Sequence, residues 1–238
     1  MKPLYLLTSI LCSTSMVHAA SILTDGEFDL ATSGSTTSGS PWTLTVNSPD
    51  GTNPAAQFQT GFANANNTGA GGTQAPGTGA GLWIRSFEGD QGGSGEPLAN
   101  ANLSQSVLAP SSGSYQLSFV AGREVNFTAA SFGVTLSSSG VAGSATIDLI
   151  AATIPDGNLG GAASLNAGGT PFSITLNSVM AGDTLQVSAI MVDGADSQVP
   201  GGQSAFLDNF SLVLAPVPEP SSSLLLASSA LLLFKRRR

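Results

Sequence analysis

Residues 115–121 have the sequence YQLSFVA, in which Tyr115, Leu117 and Phe119 occupy every second position with smaller or polar residues between them. Alternation with a period of two is typical of a β-strand that buries one face against a core. This stretch therefore predicts a strand with an apolar inner face and a more polar outer face.

The same alternation recurs along the chain, for example at Phe172, Ile174 and Leu176. Clusters of Gly, Pro, Asn, Asp and Ser separate such runs and favour turns, and no sustained helical period of 3.6 interrupts them. The sequence therefore predicts an all-β fold, an antiparallel β-sandwich of about eight or nine strands. The candidate strands are Trp42–Val46, Leu82–Phe87, Leu103–Leu108, Tyr115–Ala121, Phe132–Leu136, Ala145–Ala151, Phe172–Leu176, Thr184–Val192 and Phe206–Leu214.

The charge distribution limits the partners of this sandwich. Charged residues make up 9 % of the 238 residues, against about 25 % in a typical globular protein. Residues 21–215 contain two arginines, Arg85 and Arg123, and fourteen acids, a net charge of −12. Such a surface cannot follow a phosphate backbone, which requires Lys and Arg, so nucleic acid is excluded as a partner. The acidic surface favours cations such as Ca²⁺.

Missing residue types exclude many catalytic sites. The single cysteine, Cys12, and the single histidine, His18, lie near the N-terminus, and residues 21–215 contain no lysine. That stretch therefore has no Ser–His–Asp triad, no His/Cys zinc site and no Schiff-base lysine. We predict a protein without enzyme activity.

The N-terminus is typical of a secretory signal peptide, residues 1–19. Lys2 precedes an apolar run that begins at Leu4, and small residues follow, with predicted cleavage by signal peptidase at Ala19 and Ala20. The alternative, a permanent membrane anchor, requires a longer apolar stretch.

Residues 216–238 form a second targeting segment. The segment Val217-Pro218-Glu219-Pro220 precedes an apolar run, Ser221–Phe234, and the chain ends with the cations Lys235, Arg236, Arg237 and Arg238. A helix over the apolar run would be about 21 Å long, shorter than the hydrocarbon core of about 30 Å. We expect a transient insertion in the inner membrane, with the terminal cations on the cytoplasmic side.

These C-terminal features resemble the PEP-CTERM sorting signal. The resemblance implies recognition of Pro218-Glu219-Pro220 by an exosortase, a membrane enzyme of Gram-negative-type bacteria. It also implies export to the cell surface or extracellular matrix, in association with exopolysaccharide. Residues 20–215 would then be the exported domain.

Short motifs in this domain resemble those of galactose-binding-like jelly-roll domains. The matching segments are Asp25–Asp29, Leu103–Val107, Ser114–Phe119 and Phe206–Leu212. The resemblance implies a jelly roll that often binds carbohydrate and holds a structural calcium ion between its first and last strands. The implied metal ligands are Asp25, Asp29 and Asp208, although Asp29 stands where the family usually has glutamate.

Asp208 is the most informative acid, because it alternates with Phe206, Phe210 and Leu212 and is predicted to face the core. A buried carboxylate requires a cation or several hydrogen-bond donors. The alternatives are an ion pair with Arg123 or Arg85, capping by nearby backbone N–H groups, and the calcium ion described above.

The two tryptophans, Trp42 and Trp83, allow two interpretations. Either ring stacks on a sugar, or it packs in the core or an interface, which the apolar neighbours Leu82 and Ile84 favour for Trp83.

Three functions remain open at this stage. The first is a non-catalytic surface or matrix protein associated with exopolysaccharide. The second is a dedicated carbohydrate-binding module with a defined sugar site, which requires an exposed tryptophan. The third is a glycoside hydrolase, which requires two facing carboxylates within about 5–10 Å.

Overall fold

The computed structural model describes residues 20–28, 30, 41–46, 54–60, 80–89, 97–124, 126–152, 170–198 and 203–216. In these ranges the chain forms ten β-strands and no helix. The strands are β1 Thr43–Val46, β2 Ala56–Thr60, β3 Ala80–Arg85, β4 Ala99–Leu108, β5 Gly113–Arg123, β6 Ala129–Ser138, β7 Ser144–Asp148, β8 Thr170–Val179, β9 Thr184–Gly194 and β10 Ser204–Leu214.

The strands form two five-stranded antiparallel sheets. The front sheet has the order β1-β4-β9-β6-β7, and the back sheet has the order β2-β3-β10-β5-β8. Successive strands from β4 onward mostly alternate between the sheets, so that each sheet is built from distant parts of the chain. The predicted all-β antiparallel sandwich is confirmed.

The core lies between the inner faces of the two sheets, as the alternation predicts. Tyr115, Leu117 and Phe119 of β5 are buried, and so are Leu185 and Val187 of β9. Because apolar burial is the dominant favourable term in folding, these alternating faces hold the sheets together.

The structure adds one strand to the nine that were predicted. Strand β2 has the sequence AQFQT, in which Phe58 is the single large apolar residue, and Phe58 is fully buried. A strand is predicted from several alternating apolar residues, and a single large apolar residue does not form such a pattern. Strand β4 also begins at Ala99, four residues before the predicted start, because small alanines continue its inner face.

The N-terminal segment 20–28 lies along β10. The amide of Ile22 donates to the carbonyl of Leu212 at 2.9 Å, and the amide of Phe210 donates to the carbonyl of Gly26 at 2.9 Å. A Cβ atom at Gly26 would overlap the Phe210 carbonyl, so this close approach requires glycine.

Of the two predicted targeting segments, residues 1–19 and 216–238, all residues except Pro216 lie outside the described part of the chain. Within the described part of the chain, no helix is long and apolar enough to cross a bilayer.

Candidate functional site

Asp208 is buried as predicted, but its side chain does not face the core between the sheets, as the alternation predicted. Its side chain is 5 % exposed, and its strand partner is Val120, whereas the preceding Leu207 pairs with Ala121 on the inner face. Adjacent residues of a strand point to opposite faces, so Asp208 lies on the outer face of the back sheet. The register of β10 shifts between Asp208 and Ser211, and this bulge reverses the alternation that the sequence suggested.

The bulge also explains how the Asp208 carboxylate is accommodated. Oδ1 of Asp208 accepts a hydrogen bond from the amide of Asn209 at 2.7 Å, and Asn209 has a φ of 56°. Asn is one of the few residues that adopt this left-handed conformation readily. Of the predicted alternatives, the structure contains the local backbone cap.

The predicted ion pair between Arg123 and Asp208 does not form. Arg123 lies opposite Ala205, on the inner side of the back sheet, while Asp208 lies on the outer side. The buried Nε atom of Arg123 has no hydrogen-bond partner. The other arginine, Arg85, donates from Nε and Nη2 to the carbonyl of Pro54 at 3.2 and 2.6 Å.

Two of the three predicted calcium ligands, Asp25 and Asp208, lie among the described residues. A groove of about 480 Å³ lies where the N-terminal segment meets β10, and Asp25 lines it. Oδ1 of Asp25 accepts from the amide of Leu30 at 3.1 Å. Asp29 lies outside the described residues, and among those described no three acidic, His or Cys side chains group as metal ligands. The calcium site therefore stays a prediction.

Trp42 is a core residue, so the sugar-stacking interpretation is wrong for it. The ring is fully buried, its centroid lies 5.4 Å from that of Phe28 and 5.2 Å from that of Phe210, and its Nε1 donates to the Asp25 carbonyl at 2.8 Å. A ring enclosed by protein cannot contact a soluble polysaccharide.

Trp83 occupies a different position, on the outer face of the back sheet. It is half-buried and pairs with Gln57 on one side and Phe206 on the other. The guanidinium carbon of Arg85 lies 4.9 Å from its ring centroid and 5.2 Å from that of Phe87. The interpretation of Trp83 as part of a sugar site therefore stays open.

The outer face of the front sheet is a surface that the sequence analysis did not single out. Registered pairs place hydroxyl side chains side by side across the sheet, and the Oγ1 atoms of Thr135 and Thr146 are hydrogen-bonded at 2.9 Å. We call this surface the polar face. It consists of Thr43, Thr45, Asn102, Ser104, Ser106, Ser131, Gly133, Thr135, Ser137, Ser144, Thr146, Asp148, Gln186, Ser188, Ile190 and Val192.

The polar face is open and nearly uncharged. Most of its side chains are exposed or half-exposed, and among its described members Asp148 alone is charged. A shallow groove of about 340 Å³ crosses it near Asn102, where Ile190 and Val192 are 39 % and 37 % exposed. The signal for this surface was present in the sequence, as the polar half of each alternating strand.

The arrangement on the polar face does not provide the pair of carboxylates that a glycosidase needs. Asp148 has no second acid beside it on this face, among the residues that the structure describes. Oδ1 of Asp148 accepts from the amide of Ile150 at 2.8 Å. This surface can donate and accept hydrogen bonds and offer two apolar contacts.

Comparison with solved structures finds several chains that are similar to this one over most of its length. TmCBM61, solved in complex with β-1,4-galactotriose, is 16 % identical, with a TM-score of 0.44 over 80 % of this chain and 92 % of that chain. The CBM22-1 xylan-binding domain of Xyn10C from Paenibacillus barcinonensis is 12 % identical, with a TM-score of 0.42 over 84 % of this chain and 97 % of that chain. The enzymatically active domain of tailspike protein 4 from bacteriophage CBA120 is 13 % identical, with a TM-score of 0.47 over 82 % of this chain and 22 % of that chain.

Sequence comparison assigns the C-terminal segment. No curated protein sequence matches the chain. A family model, the PEP-CTERM protein-sorting motif, matches residues 216–238. The chain therefore carries a PEP-CTERM sorting motif, which implies an exported protein that an exosortase-type enzyme processes.

Proposed function

We propose that this protein is a non-catalytic component of the cell surface or extracellular matrix and that it binds polysaccharide on the polar face. The observation that carries this proposal is the open, nearly uncharged and hydroxyl-rich outer face of the front sheet. Signal peptidase would remove residues 1–19 between Ala19 and Ala20. The tail would hold the protein in the inner membrane until an exosortase acts at Pro218-Glu219-Pro220.

The chemistry of the polar face suits sugar rings. Pyranose hydroxyls donate and accept hydrogen bonds, and the Ser, Thr, Asn and Gln side chains of this face do both. The C–H faces of sugars are apolar, and the exposed Ile190 and Val192 offer apolar contact beside Asn102.

Net charge favours a neutral polysaccharide as the ligand. Residues 21–215 carry a charge of −12, so an acidic polymer would be repelled unless cations bridge the two. Single contacts on an open sheet are weak, but a polymer engages many copies of the protein at once, and this multivalency raises the apparent affinity.

A second candidate, a defined sugar site at Trp83, rests on one specific observation. The indole is half-exposed beside Gln57 and close to the Arg85 guanidinium, which is the combination of ring and polar partners that such a site needs. The two candidates use opposite faces of the sandwich, so substitutions separate them.

The test is binding of the exported protein to neutral polysaccharide by affinity electrophoresis. We expect Asn102→Arg and Thr135→Arg, which place long side chains on the polar face, to abolish the retardation. Ser118→Arg and Thr175→Arg are matched controls on the outer face of the back sheet and should bind normally. Loss of binding in Trp83→Ala alone would favour the second candidate, and binding unaffected by every variant would refute both.

A further inference from the structure

Among the described residues, three large apolar side chains are exposed at one end of the sandwich, which we call the exit end. Leu108 ends β4, Met180 follows β8 and Leu214 ends β10, with exposures of 67 %, 61 % and 36 %. The turn that follows Leu108 and the turn that contains Met180 are joined, because the amide of Gly182 donates to the carbonyl of Ala109 at 2.8 Å. Large exposed apolar side chains grouped in this way indicate a contact surface.

Both targeting segments join the body near the exit end. Strand β10 ends at Leu214, and the sorting motif follows from residue 216. At the other terminus, the amide of Leu212 donates to Oγ of Ser21 at 3.1 Å, so the signal-peptide junction lies beside the end of the last strand. The chain therefore enters and leaves the sandwich on the same side.

The acidic residues have the opposite distribution, because most of them lie away from the exit end. Of the described acids, Asp183 alone lies in an exit-end turn, where its Oδ2 accepts from the Met180 amide at 3.0 Å. Glu88, Glu124 and Asp193 lie beyond or near the far ends of β3, β5 and β9. An orientation with the exit end on a bilayer keeps these acids away from anionic lipid headgroups.

We propose that the exit end rests on the bilayer surface while the tail is in the membrane, with Leu108 and Met180 in the interface. This inference rests on the proposed insertion of residues 221–234. Residues 217–220 span at most about 14 Å when extended, whereas the eleven residues of β5 make the sandwich about 36 Å long. The tether therefore holds the exit end, and not the opposite end, against the bilayer.

The experiment uses the full chain with Cys12→Ser, in which an introduced cysteine is the only thiol. An environment-sensitive dye is attached at Met180→Cys, and the protein is reconstituted in phosphatidylcholine vesicles that contain spin-labelled lipid. Leu98→Cys is the matched control, because Leu98 is 50 % exposed just before β4, at the opposite end. Ser223→Cys reports insertion of the tail separately.

We expect the dye at 180 and the dye at 223 to lose emission in spin-labelled vesicles, while the dye at 98 is unchanged. Adding Leu108→Ser should reduce the loss at 180 and leave that at 223. Loss at 223 but not at 180 would overturn the inference and leave the tail insertion intact. No loss at 223 would refute the insertion itself, and with it the inference. A blue shift at 180 without vesicles would assign the exit end to the tail or a second copy and would also overturn the inference.

Discussion

The two tryptophans provide a sharp test of the fold, because they are the only ones in the chain and lie in opposite environments. Trp42 is enclosed by Phe28 and Phe210 and is hydrogen-bonded to the Asp25 carbonyl. Trp83 is half-buried on an outer face. Substituting each in turn should therefore change the free energy of unfolding very unequally.

The expected magnitudes follow from burial. Replacing a buried tryptophan with alanine costs about 3–5 kcal/mol, because transfer energy is lost and a cavity remains. In a domain of this size each kcal/mol lowers Tm by about 2–4 °C, so Trp42→Ala should melt roughly 10 °C below the wild type. Trp42→Phe keeps most of the ring but removes one of the two hydrogen bonds that the Asp25 carbonyl accepts, the other coming from the Phe28 amide at 3.2 Å, and should cost about 0.5–1.5 kcal/mol. Trp83→Phe retains a ring for Arg85 and should cost less than about 1 kcal/mol.

The assay is thermal unfolding followed by circular dichroism, with tryptophan emission as an independent readout. In Trp83→Phe, the emission comes from Trp42 alone and should have the blue-shifted maximum of a buried indole. In Trp42→Phe, Trp83 alone should emit at longer wavelength. Equal Tm losses for Trp42→Ala and Trp83→Ala, or a red-shifted maximum for Trp42, would refute the assignment of Trp42 to the core.

Two other predictions address the acids. Asp208→Ala removes the acceptor of the Asn209 amide in the β10 bulge and should lower the free energy of unfolding by about 1–3 kcal/mol. Asp208→Asn keeps an acceptor and should lower it less. An unchanged Tm for Asp208→Ala would contradict this cap. If the predicted calcium ion binds at Asp25 and Asp29, adding EDTA should lower Tm, because a ligand that binds the native state stabilises it by mass action. Identical melting curves with EDTA and with Ca²⁺ would reject the site.

Much of the sandwich could be predicted because its strands alternate cleanly. In β5, β8 and β9 each large apolar residue of the pattern faces the core, and the flanking Gly and Asn mark the turns. Strand β2 was missed because Phe58 has no large apolar partner two residues away in sequence, where Ala56 and Thr60 stand. The neighbours that bury it come from other strands, and a single sequence does not report such pairings.

The site was less predictable, because the position of a side chain depends on strand register. Trp83 stands between Leu82 and Ile84 in the sequence, yet it is the half-exposed ring, and only the fold shows that Trp42 is the enclosed one. The polar face had a local signal in each strand, the Ser and Thr of the outward positions. Its continuity depends on how β4, β9 and β6 align, which pairs Ser104 with Ser188 and Ser188 with Thr135.

The Asp208 error has a local physical cause. A regular strand from Phe206 to Leu212 would place Asp208 among the core residues, but the bulge adds one residue between them. Consequently Leu207 and Phe210 face inward, and Phe206 is buried outside the main core cluster. The pair Asp208-Asn209 is itself a signal for a bulge, because asparagine tolerates positive φ and an aspartate side chain can accept from the next amide. The N-terminal segment is hydrogen-bonded to Phe210 within this bulge. The bulge that made the alternation a wrong guide to Asp208 therefore also holds the first part of the chain beside the last strand.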